Sequence, residues 1–421
     1  MIRFADFYII ELTMKCNTQC EYCYLRGDRS PFNDAEMDFE TFKYIISEII
    51  ENYVINGGNP NNRVTLVLHG GEPLLLGYNK LKQFIEYMCY KFAEYHIKLN
   101  ASIQTNGSLL NQDFIKLLAD NNISIGISYD IVNTNRFANE NINNKIEQNI
   151  HYMNDNNISY GILSVINKTN VDKIFEYEQK LGKPIKLIPI YNVTNNKDLD
   201  LSLIEYFNKI EKPIIEDLNW LRNINTNINI HRIALKTIAD ILLDYIDRCQ
   251  STCNFKFCGR GIRIVAFEPD GSVSNCDRYD IRYFDKFKLA DKYSYDFLGI
   301  SQLKSALKFN YMLHNIQTEH HCDLCYARGI CEFDCQALHY TKYKNFGIDS
   351  DHCSYTKAIY NFIFNRRYDI IEFCINNNID IPIIEFDPIA VKYRYISVIK
   401  TLYNTSTVIE DNKIKFNKIK G

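Results

Sequence analysis

An alternation of strand-like and helix-like stretches in the first half of the chain constrains its fold most. Apolar, β-branched runs lie at Phe7–Leu12, Val64–Leu68, Leu99–Gln104, Ile123–Ser128, Tyr160–Ile166 and Ile185–Tyr191. Their length and composition are those of buried strands. Helix-period segments separate them at Phe39–Val54, Leu81–Tyr95, Asn111–Asp120, Ile142–Asn154 and Val171–Leu181. Asp38 is a candidate cap for the first helix, and Gly57-Gly58 lies just beyond its end. Six such β/α units predict a parallel sheet with right-handed crossovers. The expected fold class is α/β, beginning with a partial (β/α)6 TIM-like barrel. Ligands of such a sheet bind at the C-terminal ends of its strands.

Those strand ends carry chemistry. Cys16, Cys20 and Cys23 directly follow the first strand in a Cys-x3-Cys-x2-Cys spacing. Thiolates are soft ligands suited to iron–sulfur clusters. Three of them hold three irons of a [4Fe–4S] cube and leave the fourth open for a small molecule. Zinc is the other candidate, but it normally takes four ligands, and no fourth Cys or His lies nearby in sequence. His69-Gly70-Gly71-Glu72-Pro73 follows the second strand. Its glycines let the backbone approach a ligand closely, or they make a plain strand-to-helix turn. Gln104-Thr105-Asn106-Gly107 ends the third strand and Ser128-Tyr129-Asp130 the fourth. Arg136, a little further on, is either a ligand residue or a solvated charge at a helix start.

Composition excludes several classes. A net charge of −3 over 421 residues gives no broad basic field for nucleic acid. No apolar run reaches the length of a membrane span. Met1-Ile2-Arg3-Phe4-Ala5 lacks a basic-then-apolar signal pattern, so a cytoplasmic location is expected. The chain has 14 cysteines, grouped rather than scattered: three near the start and nine from Cys249 to Cys353. Grouping in a large chain points to clusters in a reducing cytosol rather than to disulfides. Cys89 and Cys374 stand apart as packing residues.

Beyond a polar stretch at Asn192–Asp200, helical segments are expected at Leu201–Leu221 and Ile230–Arg248, with Trp220 in packing. A β-hairpin follows, Ile262–Phe267 and Val273–Cys276 around the Pro269-Asp270-Gly271 turn. The second thiol group is Cys253, Cys258 and Cys276, then the run Cys322-x2-Cys325-x5-Cys331-x3-Cys335, then Cys353. Taken alone, the four-cysteine run also permits zinc. His320 and His321 adjoin it as ligands or as surface and outer-shell groups.

The Cys16–Cys23 spacing with aromatic Tyr22, followed at the next strand end by Gly70–Pro73, resembles the radical S-adenosylmethionine (radical SAM) superfamily. The second group, with Cys258-x12-Gly271-x4-Cys276, resembles the SPASM extension of radical SAM enzymes that modify peptides and proteins. The match spans residues 7–357. It implies a cube at Cys16, Cys20 and Cys23 whose open iron is chelated by S-adenosylmethionine, which is cleaved to a 5′-deoxyadenosyl radical. It also implies that the Gly70, Gly71, Glu72 and Pro73 backbone receives the cofactor's amino group. Tyr22, Gln104, Thr105, Ser128 and Asp130 join it around the cofactor. Ile131 stands where the family often has glycine. Two auxiliary [4Fe–4S] clusters are implied, one at Cys253, Cys258, Cys276 and Cys335, the other at Cys322, Cys325, Cys331 and Cys353. Cys249 is an alternative to Cys253. Glu332-Phe333-Asp334 replaces the glycines frequent between the last two cysteines of the run.

The Cys276-Asp277 pair resembles the sulfatase-maturating subgroup and several peptide-crosslinking relatives. There the aspartate is the proposed base; the other reading is a turn aspartate. The expected organisation is a radical SAM barrel at 1–193 and a helical linker at 194–250. A SPASM domain at 251–357 and a helical C-terminal extension at 358–421 would follow. The expected activity is hydrogen abstraction from a peptide or protein side chain, giving formylglycine, a thioether or a crosslink. The alternatives are a small-molecule substrate and a non-catalytic iron–sulfur carrier. An electron donor such as flavodoxin or ferredoxin is expected. The few residues before Cys16 leave no room for a leader-binding domain. Either a separate leader-peptide-binding protein presents the substrate, or the barrel and C-terminal extension read it.

Overall fold

The computed structural model describes residues 7–23, 25, 34–55, 63–130, 136, 140–181, 185–190, 197–211, 264–274, 276–278, 288–290, 311–329, 331, 335–343, 345–366, 405–410 and 413–418. The predicted alternation is present. The order is β1 (Phe7–Thr13), α1 (Phe39–Ile55), β2 (Arg63–Gly70), α2 (Tyr78–Glu94), β3 (Lys98–Thr105) and α3 (Gln112–Asp120). It continues with β4 (Ser124–Ser128), α4 (Glu140–Asp155), β5 (Tyr160–Ile166), α5 (Ile174–Leu181) and β6 (Ile185–Pro189). Every neighbouring pair from β1 to β6 is parallel.

Side-chain alternation divides these strands into two faces. Tyr8, Ile10 and Leu12 of β1 and Val64, Leu66 and Leu68 of β2 are buried in the main core under the helices. Helix α1 meets them with Phe42, Ile45, Ile46 and Ile49, the stripe of one helical face. Phe42 stacks on Phe84 of α2 at 4.5 Å between ring centroids. Phe42→Ala would cost about 3–5 kcal/mol. The helix starts where predicted, because Asp38 Oδ1 accepts the Thr41 N–H at 2.7 Å. Asn111 Oδ1 caps α3 in the same way through the Phe114 N–H, at 3.0 Å. The opposite strand face carries Ile9, Glu11, Thr13, Val67 and His69, and the cleft opens above it.

One strand pairing is invisible to local pattern. β7 (Ile264–Phe267) lies parallel to β1 on the side away from β2, with Phe7 opposite Ile264 and Ile10 opposite Phe267. β8 (Val273–Ser274) and β9 (Lys288–Ala290) follow antiparallel. The nine-stranded order is β6-β5-β4-β3-β2-β1-β7-β8-β9, so the sheet has two edges and is not closed. The predicted hairpin is present, but it joins the main sheet, which therefore runs across the expected boundary at 250/251.

Residues 203–211 form α6, which begins with a reciprocal cap. The Glu205 N–H donates to Ser202 Oγ at 3.1 Å, and the Ser202 N–H donates to Glu205 Oε2 at 3.0 Å. Asp351, near the start of α7 (Ser350–Asn365), accepts from the Leu203 N–H at 2.6 Å and the Ile204 N–H at 3.3 Å. Phe207, Tyr355 and Phe362 pack edge to face beside it. These contacts dock α7 against the helix at residues 203–211.

The C-terminal extension differs from expectation. Among the described residues α7 ends at Asn365, and Thr405–Glu410 (β10) and Lys413–Lys418 (β11) form an antiparallel hairpin instead of helix. The cause is local: Lys-Ile-Lys-Phe alternates with period two and Thr-Ser-Thr-Val-Ile is rich in β-branched residues. Among the described residues no helix is long and apolar enough to cross a membrane.

Candidate active site

A cleft of about 480 Å³ opens at the C-terminal ends of the strands. Cys16, Cys20, Tyr22 and Cys23 line it together with Gly70, Gly71, Gln104, Thr105, Ser128 and Asp277. Register slips between Glu11 and Thr13 at the end of β1, and this irregularity turns the chain into the cysteine loop. The chain then returns alongside. The Met14 N–H donates to the Ala35 carbonyl and the Met37 N–H to the Leu12 carbonyl, both at 2.9 Å. Lys15 and Lys80 both pair with Glu36, at 3.3 and 2.6 Å.

Within the loop, Cys16 is exposed, Cys20 is buried and Cys23 is intermediate. Thr18 Oγ1 lies 3.1 Å from Cys16 Sγ and 3.7 Å from Cys20 Sγ, so one hydroxyl serves two sulfurs. Among the described residues no three His, Cys, Asp or Glu side chains converge as for a single metal ion. A multi-iron cube spreads its thiolates more widely than one tetrahedral ion does.

The Gly-Gly-Glu-Pro turn is fitted against this loop. The Gly71 N–H donates to the Thr13 carbonyl at 2.7 Å and the Glu72 N–H to the Lys15 carbonyl at 2.8 Å. Gly70 has φ +125°, and a Cβ there would lie 2.2 Å from the Thr13 oxygen; a Cβ on Gly71 would lie 2.3 Å from the Lys15 oxygen. Both positions need glycine for the loop as much as for any ligand. Glu72 is 0% exposed and turned into the protein. Its Oε1 accepts from the Leu74 N–H at 3.1 Å and Thr105 Oγ1 at 2.7 Å, and its Oε2 accepts from the Asn106 N–H at 2.7 Å. Burial pushes its carboxyl above the usual range, although these donors pull the other way. Pro73 opens a short 3-10 helix and is buried outside the cleft lining. Gln104 Nε2 donates to Ser128 Oγ at 2.8 Å, which joins the β3 and β4 ends.

Tyr22, Asp130 and Arg136 form a second unit. The Tyr22 hydroxyl donates to Asp130 Oδ2, and Asp130 Oδ1 accepts from the Val165 N–H at 3.2 Å. Asp130 itself sits behind Tyr22 rather than in the lining. Arg136 Nη1 lies 3.5 Å from Asp130 Oδ1, and its side chain is 13% exposed. Burial alone would lower the Arg136 pKa, but Asp130, Tyr22 and Cys20 outweigh it and the net shift is upward. Burial likewise holds the Tyr22 phenol well above its ordinary value. Arg136 lines the cleft, and its buried Nε meets no acceptor among the described residues. A solvated helix-start charge is therefore ruled out.

Asp277 reaches the same cleft from β8 and is 8% exposed; Cys276 Sγ donates to its Oδ1 at 3.1 Å. The sheet order explains the meeting: β1 is flanked by β2 with the glycine turn and by β7, whose hairpin delivers Cys276 and Asp277. Cys276 and Cys335 pack in one small cluster with Leu313 and Ala337. Cys322, Cys325, Cys331 and Cys353 lie away from the cleft. The Cys325 N–H donates to the Cys322 carbonyl at 3.3 Å, and Cys353 is carried on α7. Its helix meets the 3-10 turn after Cys325, with the Tyr326 and Tyr360 centroids 5.2 Å apart. Cys249, Cys253 and Cys258 lie outside the described residues.

The sequence placed His69 and Asn106 in strand-end motifs without assigning them a role, and it did not single out Asn17 and Ser108, which with Asn106 tie the cysteine loop to the end of β3, or the cleft-lining Leu163, Val165, Ile188 and Arg278. Their position one face up from strand ends was the available signal. The three thiols, the soft donor set and the close glycine backbone fit a cluster with an open iron and a small-molecule ligand.

Residues 10–180 match the Radical SAM superfamily. The cysteine-type anaerobic sulfatase-maturating enzyme of Clostridium novyi (strain NT) is 27% identical over 361 residues, which cover 82% of this chain and 91% of that protein. The enzyme of the same name from Clostridium perfringens (strain 13 / Type A) is 23% identical over 383 residues, 84% of this chain and 95% of that one. Among solved structures, native anSMEcpe with bound AdoMet and Cp18Cys peptide is similar at TM-score 0.65 and 18% identity, covering 88% of this chain and 99% of that chain. Streptococcus suis SuiB bound to S-adenosylmethionine is similar at TM-score 0.52 and 17% identity, covering 83% and 77%. At these identities the structural likeness speaks for the fold alone.

Proposed function

Starting from its Radical SAM superfamily domain at residues 10–180, we propose that this chain is a radical SAM maturase that oxidises or crosslinks a side chain of a peptide or protein. The observation that carries this reading is a single cleft lined by the cysteine triplet, the glycine turn and Asp277. The named relatives support the substrate class, since two of them are sulfatase-maturating enzymes.

Cys16, Cys20 and Cys23 would hold a [4Fe–4S] cluster, with S-adenosylmethionine on its open iron. Together these supply a 5′-deoxyadenosyl radical, which takes a hydrogen atom from the substrate. The protein supplies position. Gly70 and Gly71 bring backbone to the cofactor's polar end. Arg136, with one buried N–H left over, takes an anionic group there. Leu163, Val165 and Ile188 form an apolar wall that excludes water. Loss of the hydrogen atom leaves a substrate radical that must give up one more electron and one proton to become a closed-shell oxidised product. Asp277, on the lining of the same cleft, accepts that proton on its carboxylate. Cys276 and Cys335, with partners in residues 251–357, the SPASM unit of this reading, would hold an auxiliary cluster, which would supply the acceptor for that electron. A flavodoxin or ferredoxin supplies the initial electron.

The test is anaerobic reconstitution followed by iron counting and assay for 5′-deoxyadenosine with dithionite and S-adenosylmethionine. About twelve irons per chain are expected for three four-iron clusters. Four irons or fewer would sink the auxiliary clusters. Absence of deoxyadenosine with peptide substrate present would sink the enzyme.

A further inference from the structure

Asn17 adjoins the first cysteine, and both ends of its amide are engaged across the cleft floor. Its Nδ2 donates to Ser108 Oγ at 2.9 Å, and its Oδ1 accepts from Asn106 Nδ2 at 2.8 Å. The ring closes on itself, because Ser108 Oγ donates to Asn106 Oδ1 at 2.6 Å and the Ser108 N–H donates there at 2.9 Å. Each donor feeds the next acceptor in one sense, an arrangement in which hydrogen bonds polarise one another. Asn106 and Ser108 are buried, at 5% and 8% exposure. The Asn106 main chain also donates to Glu72, so one residue grips both the glycine turn and the cysteine loop.

The loop has little structure of its own. Between Cys16 and Cys23 its one internal backbone bond among the described residues is Cys23 N–H to the Cys20 carbonyl, at 3.2 Å. A cube requires three sulfurs at fixed mutual positions, and a loop that must be ordered on binding loses affinity to that ordering. We propose that Asn106 is a positioning residue for the cysteine loop, acting through Asn17 and Ser108, and that this latch sets how firmly the loop holds its cluster. The proposal rests on the cluster reading above; the hydrogen bonds of the latch run between side chains of Asn17, Asn106 and Ser108 alone.

Asn106→Asp separates the latch from the local turn. It keeps the acceptor for Ser108 but puts a carboxylate oxygen and a buried charge where the donor to Asn17 stood; Asn17→Ala, which adds no charge at an exposed position, is the cleaner arm. Two readouts apply to the full chain. The first is iron loss to a ferrous chelator from the cluster whose EPR signal changes on adding S-adenosylmethionine. The second is iodoacetamide labelling of Cys20 in the metal-free chain, followed by mass spectrometry with Cys89 as internal reference. Asn106→Asp and Asn17→Ala should each raise both rates about tenfold, the worth of one or two hydrogen bonds. For Asn17→Ala, thermal unfolding and Cys89 labelling should stay at wild-type values. Asn17→Ala combined with Ser108→Ala should be no worse than Asn17→Ala alone, as for residues in one network. Unchanged Cys20 labelling, additive effects in the double variant, or faster labelling of all cysteines with a lowered Tm would overturn the latch. If the wild-type chain takes up no iron, the cluster reading fails, and Cys20 labelling still decides on the latch.

Discussion

Glu72 Oε2 accepts a 2.7 Å hydrogen bond from the Asn106 N–H, so the glycine turn after β2 is keyed to the end of β3. Its other oxygen takes Thr105 and Leu74, which leaves this carboxylate no face for a cofactor. Glu72→Gln places an amide NH2 against one of these N–H donors whichever way it is flipped. Stability should fall by about 1–3 kcal/mol in equilibrium denaturation, the cost of an unmatched buried polar group. A Gln variant as stable as wild type would show that the carboxylate is not the hub of the turn.

Gly71 is constrained by backbone rather than by ligand. Its added Cβ would meet the Lys15 oxygen at 2.3 Å and the Met14 oxygen at 2.7 Å, and neither is a flexible side-chain tip. Gly71→Ala should therefore push the turn and the cysteine loop apart, costing about 1–3 kcal/mol and weakening S-adenosylmethionine binding. Gly161→Ala is the control, since nothing lies within 4 Å of its Cβ. Calorimetric titration of both variants checks the contrast.

Glu36 closes the strap that runs back beside the cysteine loop. The Lys80 hydrogen bond, with Lys15 adding to it, holds its carboxyl below the usual range. A depressed folded-state pKa gives stability that is present above the unfolded value, near 4.5, and lost as pH falls through the folded value. The pair is largely solvated, so Glu36→Gln should cost at most about 1 kcal/mol at neutral pH. The difference from wild type should vanish in acid and shrink in high salt. A pH-independent difference would mean that shape, not charge, is what Glu36 contributes.

The features that sequence made legible are those written in contiguous residues. β1 shows as an apolar run because it is buried on both faces, and β2 to β5 show because every second residue is buried under the helices; the cysteine triplet and glycine turn are short motifs at strand ends. What escaped depends on pairings across the chain. Ile264–Phe267 reads as a hairpin arm, and nothing local says that its free edge pairs with Phe7–Ile10. Glu72 belongs to a motif whose backbone suggests a ligand, whereas its side chain is used internally; only the positions of Thr105 and Asn106 reveal that. In the hairpin at 405–418, Lys-Ile-Lys-Phe alternates with period two and Thr-Ser-Thr-Val-Ile is rich in β-branched residues, a local strand signal that a helical reading of the extension passes over.

Arg136 lies in the cleft with its charge partly met by Asp130 and one buried N–H left over. Arg136→Lys retains a cation but not the planar fork. S-Adenosylmethionine affinity should drop about tenfold or more, as expected for a lost charged hydrogen bond. Arg136→Ala should lose more and should also loosen Tyr22, whose hydroxyl shares Asp130. Unaltered affinity in both variants would move the anionic end of the cofactor elsewhere.

Asp277 offers the sharpest separation of radical formation from product formation. Asp277→Asn preserves the side chain's shape and one oxygen acceptor, so the cleft that it lines keeps its geometry. It removes the ability to take a proton. Cofactor cleavage to deoxyadenosine should continue, while oxidised peptide falls by about 10²–10⁴, the usual worth of a positioned base. The ratio of deoxyadenosine to product, measured by mass spectrometry in one reaction, distinguishes this from a general loss of activity. A parallel fall in both would assign Asp277 to holding the cleft, and a fully active variant would remove it from the reaction. Substrate deuterated at the abstracted position adds a check. Deuterium should still appear in the deoxyadenosine made by Asp277→Asn, because abstraction precedes the step that needs the base.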